Sequence, residues 1–263
     1  YFSSILKLFF LSFKNFYFKS KYYNKKLITF IPERIFYSPS TYLCASLITI
    51  GNDFYQATDK NLKFFWKINK KNNLEFKSLH NFLWLTRIDR KNSNIIIKNI
   101  IKSWIDIFFN YDPNVWEVEI TSKRIIAWSS NIDVILQNSE KNYKETVFLC
   151  LIKQSNYLLD NLNDLSYGKK KIICCAAIIL NGIMFKENFS NYKIGIKELE
   201  KVIKNFFDET GFPKSRNPED VFTCLKYLIL IREWLKEAQK DIPDFLNEII
   251  NNCGKCYVFL SSL

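Results

Sequence analysis

Histidine and methionine each occur once in this chain of 263 residues, and glycine and proline only six times each. With one imidazole, Cys253-Gly254-Lys255-Cys256 lacks the second pair or neighbouring histidines that a zinc site requires, so no metal is expected. The seven cysteines are an odd number scattered mostly through apolar helical patterns, which suits small buried thiols better than a disulfide framework. No uninterrupted apolar stretch reaches the roughly 18 residues needed to cross a bilayer. Residues 1–20 are apolar and aromatic but broken by Lys7, Lys14 and Lys19, and the run from Lys171 to Phe185 is too short, so no membrane span is expected. Helix-turn-helix, zinc and RNA-binding signatures are missing and the basic residues are dispersed through every segment, which argues against a nucleic-acid partner. Strand patterns all but vanish after residue 90, and no repeat of fixed length is visible.

What is present is lysine, asparagine, isoleucine, phenylalanine and tyrosine, the bias of an AT-rich coding sequence. The formal net charge is +12, and only six of the 38 basic residues are arginine. Charge of this sign draws polyanions, whether nucleic acid, anionic lipid or acidic polysaccharide, without choosing among them. At 48% hydrophobic residues the chain has ample core for one large domain or two small ones. It begins with tyrosine, so a piece of a longer protein is expected, with any leader outside it.

Phe2, Ile5, Leu6, Phe9 and Phe13 share one helical face and predict a packing or interfacial helix. Alternation over Leu47 to Tyr55 and Leu62 to Ile68 predicts a short β-hairpin. Ile95, Ile96, Ile100, Ser103, Trp104, Ile107 and Phe108 form a stripe at helical spacing that stops at Asn110-Tyr111-Asp112-Pro113. Asp112 then predicts a cap and Pro113 the first position of the next helix, with Glu117 and Glu119 near its positive end. Further helices are predicted over residues 142–162, 171–185, 194–207, 221–238 and 245–259, the second of them central and buried. The fold class is mainly α, built of stacked antiparallel helix hairpins.

Three clusters carry chemistry. In Asp208 to Pro218, Gly211 takes a conformation closed to other residues, and Asn217-Pro218 reads as an N-cap and first helical position. Lys214, Ser215, Arg216 and Asn217 lie beside the free N–H groups of that helix, a seat for a carboxylate or sulfate; the plain alternative is a well-capped turn. Glu117, Thr121, Arg124 and Trp128 are spaced by four, three and four residues and so share a helix face. Trp128 could stack on a sugar ring while Arg124 pairs with a uronic carboxylate or with Glu117; the alternative is an ion pair beside a core tryptophan. His80 titrates near neutral pH as a general acid or base does, and beside aromatics it equally fits a structural hydrogen-bonding role.

Asp208, Gly211 and Ser215-Arg216-Asn217-Pro218 before an amphipathic helix resemble the helical domain of the heparinase II/III-like polysaccharide lyases, in the branch common in alphaproteobacteria. Leu79-His80-x-Phe82-x-Trp84-Leu85 resembles a segment before the first long helix of that domain. Trp116-Glu117-x-Glu119 followed by Arg124-x-x-x-Trp128 resembles a second signature, and Tyr227 to Arg232 a third in which Tyr227 replaces an acid.

The resemblance runs over residues 78–260 and implies an incomplete α/α toroid in residues 78–263, preceded by an N-terminal extension in 1–77 that holds the short β-hairpin. A C-terminal β-sandwich, absent from this chain, would form the other wall of a cleft. The implied chemistry is β-elimination on an acidic, uronic-acid-containing polysaccharide without a cofactor, in a bacterial protein whose compartment, cytoplasm or periplasm, stays open. Arg216 and Asn217 would grip the carboxylate with Lys214, Ser215 and Arg124 as further contacts, and His80 or Tyr111 would transfer protons. Characterised lyases carry Asn-His on a toroid helix and a tyrosine beyond the turn, where this chain has Asn181-Gly182 and Glu219-Asp220-Val221-Phe222. Binding without cutting is therefore one implied alternative. The others are a polyanion- or nucleic-acid-binding helical domain, and an α/α-barrel glycoside hydrolase using Glu117, Glu119 or Asp208.

Overall fold

The computed structural model describes residues 2–43, 66, 73–88 and 94–262, and among them regular structure is almost wholly helical. In chain order the α-helices are α1 (Phe2–Lys19), α2 (Lys21–Lys26), α3 (Asn73–Asn81), α4 (Asn94–Phe108), α5 (Val118–Ser130) and α6 (Ile132–Leu136). They continue with α7 (Lys141–Leu162), α8 (Lys169–Met184), α9 (Phe189–Phe206), α10 (Pro218–Glu237) and α11 (Asp244–Ser261). Leu83–Arg87 and Lys186–Asn188 form short 3-10 turns. The fold is mainly α; the predicted β-hairpin lies outside the described residues, apart from Trp66.

Local punctuation accounts for several helix starts. The Ser20 hydroxyl accepts the Tyr23 N–H and starts α2, and the Asn217 side chain accepts the Glu219 N–H with Pro218 at the first position of α10. One predicted start is displaced. The Asp112 carboxylate accepts N–H groups of Asn114 and Val115 and so caps only a turn, and α5 begins at Val118 with Glu117 as its cap.

Helix α8 organises the rest. Every residue from Lys171 to Met184 is buried, because the helix packs against α5, α7, α9 and α10 and has no side left for water. Two glycines set its closest crossing, with α9. A Cβ at Gly182 would lie 2.4 Å from the Tyr192 backbone nitrogen, and one at Gly195 would lie 2.7 Å from Ile179 Cγ1. Gly182→Val must push the two helices apart, so it is expected to lower stability by about 1–3 kcal/mol. A urea denaturation midpoint equal to that of the unaltered chain would show that the crossing yields freely.

The α4 stripe is rotated from its predicted face. Ile97, Ile100, Ile101, Trp104 and Ile105 are buried, whereas Ile95, Ile96 and Ile107 are exposed. A helix this rich in isoleucine offers two overlapping stripes, and the buried one carries Trp104 against Trp128 and Phe82. On α1, Phe9 and Phe13 likewise face water while Phe18 turns inward and stacks on Tyr23 with ring centroids 4.3 Å apart. Phe18, Tyr23, Leu27, Leu43 and Trp66 belong to the same core cluster as the later helices. Residues of the predicted extension therefore share one apolar interior with those of the predicted helical domain.

Candidate functional site

Helix α8 opens with three consecutive lysines, which about 100° of rotation per residue points in three directions. Lys169 reaches Asp220 at 3.1 Å and Glu219 at 3.2 Å in the first turn of α10. Lys170 reaches Glu117 at 3.4 Å and Glu119 at 4.0 Å where α5 begins. Lys171, itself buried, lies 3.4 Å from Glu198 on α9. The N-terminal ends of α5, α8 and α10 thus meet at one end of the molecule, which brings Glu117 to the same end as residues 214–217. Burial would raise Glu119, but the charges and hydrogen bond of Lys123, with Lys170 behind, hold it below its ordinary range.

The turn before α10 is tied down from several sides. Asp208 Oδ1 accepts the Thr210 hydroxyl at 2.6 Å and the Thr210 and Phe212 N–H groups, both at 3.0 Å. With Arg216 beside it, this carboxyl is held below its usual value, the Thr210 hydroxyl being the largest cause. Gly211 sits at φ 83°, and a side chain there would also strike the backbone of α11 between Asn252 and Cys253. The Cys-x-x-C pair works on this turn: Cys253 Sγ donates to the Gly211 carbonyl at 3.1 Å and Cys256 Sγ to the Thr210 carbonyl at 3.4 Å.

All four predicted binding residues on the turn are exposed, but two have side-chain atoms already engaged in hydrogen bonds. Ser215 donates to Asp220 at 2.8 Å, and the Asn217 amide oxygen caps α10. Lys214 is exposed, and the Arg216 side chain is 67% exposed, 2.7 Å from Asp208 and stacked over Phe212 at 5.6 Å.

The second predicted face points into the core. Arg124 is fully buried, where its guanidinium donates to Gln154 Oε1 at 2.7 Å, to the carbonyls of His80 and Val115 at 3.0 Å each, and to Thr121 Oγ1 at 3.1 Å. Its face covers the Trp104 ring at 4.3 Å. The expected pair with Glu117 is not made, because Glu117 caps α5 and turns to Lys170. Burial pushes the guanidinium down to about 9, still charged near neutrality. Trp128 is buried as well, edge-on to Trp104 and Phe82 at 5.4 and 5.3 Å. The Leu79–Leu85 segment and the 116–128 segment do meet, as interior packing.

The two predicted proton-transfer residues lie away from the turn. His80 is buried, its Nδ1 accepting the Trp104 indole N–H at 3.2 Å, and burial, helped by the Arg124 charge, pushes its pKa down to about 3. Tyr111 donates to Asn15 on α1 at 2.8 Å, and burial followed by Asp112 raises the phenol to about 12. One is neutral throughout the physiological range and the other is too weak an acid to serve as a base.

Sequence reasoning missed the fan of Lys169, Lys170 and Lys171 and the buried Lys153 and Gln154. Three lysines heading an apolar run signal a buried helix whose entrance needs carboxylates from its neighbours. Lys153 and Gln154, in the midst of the buried pattern of α7, signal internal acceptors. No family model matches this chain, and no curated protein or solved structure matches it.

Proposed function

We propose that this chain binds an acidic, uronic-acid-containing polysaccharide at the end where α5, α8 and α10 begin, with Arg216 and Lys214 gripping carboxylates. In this reading α5, α8 and α10 are the inner helices and α7, α9 and α11 the outer helices of an incomplete α/α toroid. The proton transfers of β-elimination fall to the β-sandwich domain that the lyase resemblance implies, since His80 and Tyr111 are committed elsewhere.

The observation that carries the reading is the backbone of Arg216, held at φ 56°. A non-glycine residue in this left-handed region is strained by about 1–3 kcal/mol and persists where surrounding structure over-determines it, a pattern found at ligand sites. Glycine would be cheaper at this position, yet a guanidinium stands there, exposed and aimed by Asp208. Arginine pairs with carboxylates through two parallel N–H donors, which suits a uronic acid. The hydrolase reading has less support: Asp208 and Glu119 are both held below the carboxylate range, whereas a general acid needs its pKa raised.

Arg216→Gly separates the roles of this residue. Stability is expected to stay within about 1 kcal/mol, since strain relief offsets the loss of an exposed ion pair. Binding to polygalacturonate or alginate, measured by affinity electrophoresis, is expected to weaken roughly tenfold or more. Unchanged mobility in the polyuronate gel would sink the proposal, and salt-sensitive retention of the unaltered chain on DNA with none on polyuronate would favour the nucleic-acid alternative.

A further inference from the structure

We infer that a lysine-lined pocket between α2, the loop at Phe109-Asn110 and α7 binds a phosphate monoester. This goes beyond the polysaccharide reading and shares none of its residues. The pocket has a volume of about 270 Å³, with Lys19, Lys21, Lys25 and Lys153 on its walls, Phe109 and Ile28 as its apolar part, and no carboxylate in its lining.

Lys153 sits at the back of this pocket, 1% exposed. Its ammonium donates to the Phe109 carbonyl at 2.9 Å and to Asn110 Oδ1 at 2.7 Å, and lies over the Phe109 ring at 4.2 Å. Those partners are neutral, and an ammonium has three donors. Among the described residues no carboxylate pairs with Lys153, Lys19, Lys21 or Lys25. Nearby lysines behave differently: Lys26 reaches Asp160 at 3.6 Å, and Lys14 is paired with Asp164. A buried charge without a counter-ion is costly, and three exposed lysines border the same space. A dianion relieves that cost. Burial lowers Lys153 to about 8, which an anion would reverse.

The walls are held in place before any ligand arrives. Asn24, on α2, donates to the carbonyls of Phe18 and Ser20 at 3.0 and 2.9 Å and accepts the Tyr111 N–H at 2.9 Å, which pins the lysine-bearing segment to the loop after α4. A pocket of about 270 Å³ is roomier than a bare oxyanion needs. Phe109 and Ile28 are the apolar part of its lining, which suits an organic group on the ligand. Lysine recognises phosphate as a point charge and makes no demand for the planar fork that arginine offers carboxylates.

Isothermal titration of the full chain with inorganic phosphate and with glycerol 3-phosphate at low salt tests this. Both are expected to bind saturably at one site, the ester more tightly. The double variant Lys21→Ala/Lys25→Ala alters only exposed side chains, and it should keep its helical circular dichroism while binding weakens roughly tenfold or more. Lys153→Met should lose binding outright, and if it fails to fold the surface double variant carries the test. Sedimentation with phosphatidic-acid and phosphatidylcholine vesicles identifies the source. Binding confined to the anionic vesicles and lost in the double variant assigns the phosphate to a lipid and supports the site. No binding to any phosphate probe, or equal binding by the folded double variant, overturns it.

Discussion

Arg124→Met is expected to destabilise the chain by about 3–5 kcal/mol, far more than a substitution at the surface would. Methionine fills much of the volume but carries no donor. The carbonyls of His80 and Val115 and the Gln154 amide oxygen, which accept from Arg124 at 2.7 to 3.0 Å, would be left buried without their donor. Each such group costs about 1–3 kcal/mol, offset in part because a buried charge disappears. Those acceptors belong to three separate segments: the end of α3, the turn before α5, and α7. Their loss therefore loosens the packing of Trp104, Phe82 and Trp128 together. Arg124→Lys should recover little, since a single ammonium cannot serve four acceptors set out for a fork. Thermal unfolding of both variants would reveal it, with a fall of roughly 10 °C expected for the methionine variant. A loss under about 1 kcal/mol would mean that the guanidinium is tolerated by the core without organising it.

The second large effect is acid sensitivity set by His80. Its Nδ1 accepts the Trp104 N–H, so the proton of the neutral ring is on Nε2. Burial first, and the Arg124 charge second, lower its pKa from 6.5 to about 3, with Asp112 opposing. The folded pKa lies below the unfolded one, so between these values the unfolded chain binds a proton that the folded chain refuses. Stability therefore rises with pH across this window; the His80 contribution is complete above the unfolded value and is lost as pH falls towards the folded one. At about 1.4 kcal/mol per unit, a drop to pH 4 removes roughly 3 kcal/mol through this residue alone. Carboxylates titrate in the same range, so urea midpoints between pH 7 and pH 4 need comparison with His80→Gln, which keeps an acceptor for Trp104. The glutamine variant should show a visibly shallower pH dependence. Parallel curves would rule out a neutral buried imidazole as the cause.

Much of the architecture was legible because helix signals are local. The Asn217 cap, Pro218 at the first helical position and the left-handed Gly211 follow from single-residue chemistry, and all three stand in the structure. The buried course of α8 was legible for a different reason: the unbroken apolar run from Ile172 to Leu180 leaves no polar face to expose. Orientation was much less so. Ile95, Ile96 and Ile107 fit a stripe as well as Ile97, Ile101 and Ile105 do, and only tertiary packing, such as that of Trp104 on Trp128 and Phe82, accompanies the choice between them. Asp112-Pro113 has the chemistry of a helix start, yet the chain makes a further turn before Glu117 caps α5.

The candidate residues show the same division. Spacing correctly put Thr121, Arg124 and Trp128 on one helix, with Glu117 as its cap and not part of that face, but it could not tell whether the face meets water or core. Acceptors contributed by residues 80, 115 and 154 turn it inward. The sequence by itself determined that the described residues are mainly helical, where some caps and turns lie, as at Asn217 and Gly211, and that α8 must be buried, because each of these depends on residues within a few positions of one another. Only the tertiary structure decided that Lys169, Lys170 and Lys171 fan out to three helices, that Arg124 and His80 belong to the interior, and that Arg216 is left facing water. Those outcomes depend largely on acceptors and carboxylates brought in from distant segments, and periodicity carries no information about which distant group a side chain will meet.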